Sequence, residues 1–201
     1  MGTILVVAET AKGGIRESSY ELVTIARGLA ESGGHDVKGL VIGSGVGDLA
    51  STFASKGAGE TYVADDAAFA NYTVDGYNAA IRAAVEASGA SLVLIANTPT
   101  GWDVAPRVAA GLDAAFVSDC FKITEEGGKL TFFRRVFNGK LDAEISAEGT
   151  VVATVQPGAT AAYEGSADGA TQALDVSFDA KTKFVEIKVA ESTGVDLTKA
   201  D

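Results

Sequence analysis

The chain has 201 residues, 47% of them apolar, and 27 acidic against 16 basic side chains give it a formal net charge of −11. This charge disfavours binding to nucleic acids and anionic membranes, because both are negatively charged. A single cysteine and a single histidine exclude an internal disulfide, a thiolate metal cluster and a two-histidine metal site. The N-terminus lacks a basic lead and a long hydrophobic region, so we expect a first strand rather than a signal peptide, and a cytoplasmic protein.

From residue 1 to residue 117, strand patterns alternate with helix patterns. The predicted strands are residues 3–8, 37–42, 61–64 and 91–96, and the predicted helices are about residues 18–33, 48–55, 71–88 and 104–112. The fourth strand is apolar almost throughout, as expected for a strand covered on both faces. This alternation predicts an α/β fold with an open, mainly parallel sheet and flanking helices.

Three helix starts are predicted from capping residues. Ser18 and Glu21 fit the Ser-x-x-Glu capping box, and Thr73 is predicted to cap the third helix. Asp103 is predicted to cap the fourth. Pro106 would then lie in the first turn, where a proline removes no helical hydrogen bond.

After Val117 the pattern changes to four strand-like runs joined by short turns. They are residues 120–124, 130–137, 141–145 and 150–155. Asn138-Gly139 predicts a tight hairpin, because both residues tolerate positive φ. These features predict an antiparallel β extension. Residues 158–180 are predicted to begin as a surface loop, residues 183–189 to form a last strand, and residues 191–201 to be a linker.

Two loops are candidate anion sites. Gly43-Ser-Gly-Val-Gly47 follows a strand, and backbone amides at a helix start favour anions. However, Asp48 stands where the dinucleotide fingerprint needs its third glycine, and its charge would repel a pyrophosphate. The loop after the first strand offers Lys12 and Arg16 at the carboxyl edge of the sheet, where open α/β folds bind ligands. An ordinary turn and solvated charges are the preferred interpretations.

The remaining reactive side chains form no catalytic centre. Ser18 and Ser44 have no histidine partner for nucleophilic chemistry, and Cys120 is interpreted as buried and inert. His35 is interpreted as a solvated loop residue. The same interpretation applies to six carboxylates, since nothing orders them into an acid/base pair or a metal site: Asp65, Asp66, Asp113, Asp119, Glu125 and Glu126.

Five residues are candidates for contacts with a partner protein: Trp102, Arg107, Arg134, Arg135 and Phe137. Trp102, the single tryptophan, is placed in a turn, where it marks either an interface or a lid on the local core. Strand alternation sends the two neighbouring arginines to opposite faces. With Phe132, Phe133 and Phe137 they form a contact surface, unless these aromatics pack in the core; both interpretations stay open.

Several stretches resemble the N-terminal domain of the electron transfer flavoprotein α subunit. They are residues 4–9, 101–112, 116–119, 133–140 and 151–157. The most specific is Asp103-Val-Ala-Pro-Arg-Val-Ala109. The order of elements resembles that domain as well, and the likeness covers nearly the whole chain.

This resemblance implies a Rossmann-like scaffold domain at residues 1–190 and a linker at residues 191–201, towards an FAD-binding domain that this chain does not contain. Members of the family are heterodimers in which the β subunit holds AMP or a second FAD, while FAD in the α subunit carries electrons from flavin dehydrogenases or other redox partners. No cofactor-binding or catalytic residue is expected in the scaffold. The alternative is a stand-alone adenine-nucleotide-binding module of the same Rossmann-like type.

Overall fold

A computed structural model describes residues 2–186 and 188. Its elements in chain order are β1 (Thr3–Val7), β2 (Thr10–Ala11), β3 (Gly14–Ile15), α1 (Glu17–Gly33), β4 (Asp36–Gly43), α2 (Gly47–Phe53), β5 (Thr61–Asp65), α3 (Val74–Ser88), β6 (Ala90–Ala96), α4 (Pro99–Leu112), β7 (Ala115–Glu126), β8 (Lys129–Val136), β9 (Leu141–Ser146), β10 (Val151–Val155) and β11 (Thr171–Ala173). A π-helical turn, Ala54–Ala58, follows α2, and a short 3₁₀ turn, Ala67–Phe69, precedes α3.

Nine of the strands form one sheet in the order β11-β5-β4-β1-β6-β10-β7-β8-β9. The pairs from β11 to β7 are parallel, whereas β7, β8 and β9 pair antiparallel. This arrangement confirms the predicted α/β class and the antiparallel extension. The extension is smaller than expected, because β10 inserts between β6 and β7 in the parallel part. All five residues of β10 are buried, which is typical of a central parallel strand.

Helices cover both faces of the parallel strands. Alternate residues of β1 enter the two layers: Ile4 and Val6 pack in the layer of α1 and α2, while Leu5 and Val7 pack in the layer of α3 and α4. On α1 the predicted apolar face, residues 22, 25, 26 and 29, packs in the first layer. Burial of these two apolar layers stabilises the fold.

The helix starts depend on tertiary contacts as well as on local signals. Thr73 caps α3 as predicted, its side chain accepting the amide N–H of Gly76 at 3.3 Å. The predicted capping box in α1 is wrong, because that helix begins at Glu17 and no side chain caps it. The Glu21 carboxylate instead accepts the amide N–H of Gly158 at 2.6 Å, since this distant donor lies beside the helix.

Residues 158–170 form neither helix nor strand, as predicted for a surface loop, and backbone hydrogen bonds attach them to the fold. The amide of Tyr163 donates to the carbonyl of Tyr20 on α1, and the amide of Ala167 donates to the carbonyl of Ser55. β11 then pairs with β5 and covers the edge of that strand. In the predicted last strand, residues 183–186 and 188 have no strand assignment, and residues 187 and 189 lie outside the described residues, as does the predicted linker.

The antiparallel extension folds onto α1 through a bend in β7. Asp119, with φ 61°, lies at this bend, and the strand exchanges its partner β10 for β8 there. The segment beyond the bend brings Cys120 and Ile123 into the α1 layer, together with Phe132 of β8. Phe132 is therefore a core residue, whereas 73% of Phe137 is exposed. The core-packing interpretation therefore holds for Phe132, while Phe137 stays a predicted contact residue on the surface.

A buried pair joins the extension to the opposite, amino edge of the sheet. His35 Nε2 lies 2.7 Å from Glu125 Oε2, and their side chains are 11% and 6% exposed. His35 Nδ1 accepts the amide N–H of Gly2 at 3.2 Å, so Nε2 carries the proton and donates to the carboxylate. A Cβ atom on Gly33 would collide with this carboxylate. The interpretation of His35 and Glu125 as solvated was wrong, because each is covered by its partner from 90 positions away.

We expect His35→Ala to lower the free energy of unfolding by about 2 kcal/mol, because it leaves a buried carboxylate without its donor. Urea denaturation followed by the fluorescence of Trp102 measures the change. Glu126→Gln alters the exposed neighbouring carboxylate and serves as the control. Equal stability of His35→Ala and the control would contradict the assignment of this pair as the junction.

Candidate functional site

The carboxyl edge of the parallel strands is where open α/β sheets bind ligands, at the point where the strand order reverses. Here that point lies between β1 and β6, and Glu9 and Thr98 follow these two strands closely. The Thr98 hydroxyl donates to Glu9 Oε2 at 2.7 Å, and Arg16 Nε lies 3.0 Å from Glu9 Oε1. The loop after β1 forms the β2–β3 hairpin, and Arg16 is engaged with Glu9. A carboxylate of the chain thus lies at the reversal point.

The start of α4 is built from Thr98 and Pro99 rather than from Asp103. The Thr98 hydroxyl oxygen accepts the amide N–H of Gly101 at 3.2 Å, and Pro99 occupies the first helical position. The prediction of Asp103 as the cap was wrong, because the earlier Thr-Pro pair satisfies both preferences. Pro106 consequently lies inside the helix, where it provides no amide N–H for a helical hydrogen bond.

The glycine-rich loop between β4 and α2 already holds an anionic group. The amides of Gly45 and Val46 donate to the two carboxylate oxygens of Asp65, at 2.6 Å and 3.0 Å. Asp65 is exposed, as predicted, but its carboxylate is not free. It accepts the amide hydrogen bonds that a phosphate would accept at such a turn. The observation favours the interpretation of this loop as an ordinary turn.

A cleft of about 520 Å³ lies beside the glycine-rich loop, at the same edge of the sheet. Its walls include Lys12 of the β2–β3 hairpin and the rings of Tyr72 and Tyr77. The Tyr72 hydroxyl donates to Asp103 Oδ2 at 2.8 Å. Burial, followed by this hydrogen bond, raises the pKa of Tyr72, so the phenol stays neutral at physiological pH.

Asn97, which the sequence analysis did not single out, organises a polar network where β6, β10 and β7 meet. Its amide nitrogen donates to Asp119 Oδ1 at 2.5 Å, and its oxygen accepts from Trp102 Nε1 at 2.7 Å and from the Thr154 hydroxyl at 2.9 Å. The interpretation of Asp119 as solvated was therefore wrong. The backbone amide of Asp119 donates to Thr154 Oγ1 at 2.9 Å, and this hydrogen bond links β7 to β10.

Trp102 lies within α4, not in a turn as expected. The indole is 61% exposed although its N–H is bound to Asn97, so it is a fixed aromatic surface. Arg107 Nε lies 3.5 Å from Asp103 Oδ1, one helical turn earlier. These two candidate contact residues therefore share one helix.

Arg134 and Arg135 point to opposite faces of β8, as strand alternation predicts. Arg134 donates from Nη1 to the Ser118 hydroxyl at 3.1 Å, and its buried Nε has no acceptor among the described residues. Arg135 lies over the Phe121 ring, 4.7 Å from its centroid, and 3.9 Å from Asp142. The first arginine faces the interior and the second faces solvent.

The pattern of the family described as "Electron transfer flavoprotein domain" matches residues 4–180. The chain belongs to the electron transfer flavoprotein domain family. It is 31% identical over 201 residues to an electron transfer flavoprotein subunit alpha of Bacillus subtilis (strain 168), covering 98% of this chain and 61% of that protein. The same subunit of Syntrophomonas wolfei subsp. wolfei (strain DSM 2245B / Goettingen) is 31% identical over 200 residues, covering 98% and 62%. That of Methylophilus methylotrophus is 26% identical over 205 residues, covering 100% and 64%.

These matches confirm the resemblance to the electron transfer flavoprotein α subunit. The chain spans about three fifths of the length of these relatives. Among the described residues of this flavoprotein domain, no His, Cys, Asp and Glu group of three or more could hold a metal ion. None of the described helices is both long enough and apolar enough to cross a membrane.

The single thiol of the domain is a core group. Cys120 is fully buried, and burial raises the pKa of its thiol to about 12, with Arg134 opposing the shift and Asp119 adding to it. A neutral, covered thiol is a poor nucleophile. The interpretation of Cys120 as buried is confirmed, and its inertness stays a prediction.

We expect Thr98→Ala to lower the free energy of unfolding by about 1–2 kcal/mol, because it removes the cap of α4 and the donor to Glu9. Asp103→Ala removes only contacts that are exposed to solvent, and it should lower the free energy of unfolding by about 0.5 kcal/mol or less. Urea denaturation of both variants compares the two candidate caps. A larger loss for Asp103→Ala would contradict the assignment of Thr98.

Native protein should resist alkylation of Cys120 by iodoacetamide at about pH 8, and unfolded protein should react at once. The folded thiol holds its proton above the unfolded value of 9.0, so stability should fall as pH rises above that value. Mass spectrometry measures the alkylation. The variant Cys120→Ala should lack this contribution to the loss of stability at alkaline pH. Rapid labelling of the native protein would contradict the burial of the thiol.

Proposed function

We propose that this chain is the scaffold part of an electron transfer flavoprotein α subunit. It pairs with a β subunit and gives a flavin-bearing domain a surface on which to rest. The intact protein carries electrons by FAD from flavin-dependent dehydrogenases or other redox partners to an acceptor. The observation that carries the proposal is that the glycine-rich loop and the strand-reversal point at the carboxyl edge already hold carboxylates of the chain itself.

Glu9 and Asp65 occupy positions at which a nucleotide would place its phosphates. A phosphate at the glycine-rich loop would have to displace Asp65 from the amides of Gly45 and Val46. A phosphate near α4 would meet Glu9, which is held by Thr98. Each approach brings two negative charges together on a chain whose net charge is −11. The scaffold therefore contributes geometry, and the redox work falls to cofactors held elsewhere.

In this proposal FAD belongs to a separate domain of the α subunit, and AMP or a second FAD belongs to the β subunit. Residues 1–190 form the scaffold domain and residues 191–201 are the linker towards the flavin domain. The assembled protein works in the cytoplasm. Its output is orientation, because electron transfer between flavins requires cofactors that approach closely.

The β8–β9 hairpin is the surface that we propose for the β subunit. β9 is the outermost strand of the sheet, so its outer edge has no strand partner among the described residues. At the tip of the hairpin Phe137 and Leu141 are 73% and 59% exposed. Arg135, on the solvent side of β8, adds a cation that is stacked on Phe121. Exposed aromatic and arginine side chains are the residue types that dominate binding energy at interfaces.

The remaining candidates form a second contact region. Trp102 and Arg107 lie on α4, and Arg134 reaches the Ser118 side of the same edge. We assign this region to contacts of the scaffold with other parts of the complex. None of these three residues lies in the turn between β8 and β9, so variants of the two regions can be made independently.

Isothermal titration calorimetry with AMP, ATP and FAD tests whether the domain binds a nucleotide. We expect no binding by the 201-residue chain, because the amides of the glycine-rich loop are already engaged. Binding with a micromolar dissociation constant would defeat the scaffold assignment and support the alternative, a stand-alone adenine-nucleotide-binding module.

Co-expression with the β subunit, followed by size-exclusion chromatography, tests the docking surface. The double variant Phe137→Ser/Leu141→Ser should weaken association at least about tenfold, because it removes the exposed apolar contacts. Val185→Ser changes another exposed apolar side chain, 84% exposed and outside the hairpin, and should leave association unchanged. Unaltered binding by the double variant would move the interface away from the hairpin.

A further inference from the structure

A pocket of about 360 Å³ opens at the carboxyl edge of the sheet between α4 and β7. The residues that line it are Asn97, Trp102, Phe116, Ser118, Asp119 and Thr154. The two rings supply its aromatic surface, and 61% of Trp102 and 40% of Phe116 are exposed. The pocket therefore combines aromatic surface that is open to solvent with a carboxylate, that of Asp119.

Most of the polar groups in this pocket are already engaged. The Asn97 oxygen accepts from Trp102 and Thr154, and its nitrogen donates to Asp119. The Thr154 hydroxyl donates to the Asn97 oxygen, and its oxygen accepts the amide N–H of Asp119. The carboxylate of Asp119 receives a single side-chain hydrogen bond, although a carboxylate has about four acceptor sites. It retains the largest unused acceptor capacity in the pocket.

Asp119 is in no ion pair in the part of the chain that the structure describes. The ion pairs there, including the one between Arg107 and Asp103 on α4, do not include it. Arg134 is the neighbouring basic residue, but its guanidinium donates to the Ser118 hydroxyl rather than to this carboxylate. A half-buried carboxylate without a counter-charge favours a cationic ligand.

We propose that this pocket receives an arginine side chain from a partner polypeptide. The guanidinium stacks against Trp102 and Phe116 and donates to the carboxylate of Asp119. Arginine fits better than lysine, because its planar group both stacks on aromatic rings and presents paired N–H donors to a carboxylate. Asp119 would repel an acidic ligand, and an apolar ligand would leave the charge of the Asp119 carboxylate uncompensated. The hydrogen bond from Trp102 to Asn97 fixes the indole in advance, which lowers the entropy lost on binding.

The test uses the single tryptophan as the reporter. A ¹⁵N-labelled chain shows one indole N–H signal, and N-acetyl-arginine amide is titrated as the probe. We expect a saturable shift of this signal with a dissociation constant on the order of 1 mM, as suits a ligand of this size. N-acetyl-lysine amide should bind at least about threefold more weakly, and N-acetyl-norleucine amide should not bind.

Asp119→Asn keeps the oxygen that accepts from Asn97 but removes the charge, so it should weaken binding of the arginine probe at least about tenfold. Phe116→Leu keeps an apolar side chain on β7 and removes one ring, and it should weaken binding about threefold or more. Asp48→Asn alters an exposed carboxylate outside this pocket and should bind as the wild type does. The backbone amide spectrum of each variant verifies that it is folded.

An unmoved indole signal at concentrations of about 50 mM would overturn the proposal, as would equal binding of the three probes or unchanged binding by Asp119→Asn. The titration involves neither a β subunit nor a flavin. Its failure is thus distinct from failure of the proposed scaffold role, which calorimetry and co-expression test separately.

Discussion

The carboxyl edge of this fold depends on one kind of interaction, a carboxylate of the chain placed where an open α/β sheet would receive an anion. Asp65 accepts two amides of the glycine-rich loop, and Glu9 accepts the hydroxyl of the residue that caps α4. The amides of a turn need acceptors, and the Asp65 carboxylate serves them as a phosphate would. At the start of α4 the acceptor is the Thr98 hydroxyl oxygen, and Glu9 accepts the hydrogen bond of that hydroxyl. These internal acids stabilise the loops without a ligand, and their charge disfavours a phosphate at the same positions.

This constraint gives the domain its proposed role. In this role the Rossmann-like sheet, with an apolar layer packed on each face, contributes surface to other proteins. Trp102 is held by Asn97 while most of its ring faces solvent, and Arg135 is stacked on Phe121 at the solvent side of β8. Side chains fixed in this way lose little entropy when a partner covers them, so they suit a scaffold that must hold other parts in a set orientation.

The antiparallel extension is attached to the parallel part of the fold at both edges of the sheet. The bend at Asp119 is held at the carboxyl edge by Asn97 and Thr154. At the amino edge the pair of Glu125 with His35 holds the far end of β7. Between these points Phe132 is buried against the α1 layer.

The sequence alone determined the features that depend on local periodicity. They are the order of the strands and helices up to β10 apart from the short β2 and β3, the apolar face of α1, the cap at Thr73, the Asn138-Gly139 hairpin and the likeness to the electron transfer flavoprotein α subunit. These features depend on residues within a few positions of one another, so local sequence patterns predict them. Only the tertiary structure decided which acidic and basic side chains form hydrogen bonds or ion pairs, and with which partners. His35 binds Glu125, 90 positions away in the sequence. Glu21 accepts the amide N–H of Gly158 instead of forming a capping box. Asp65, at the end of the next strand, accepts amide hydrogen bonds of the glycine-rich loop. A polar side chain binds the nearest unsatisfied partner in space, and the folding of the sheet, not spacing along the chain, sets which partner that is.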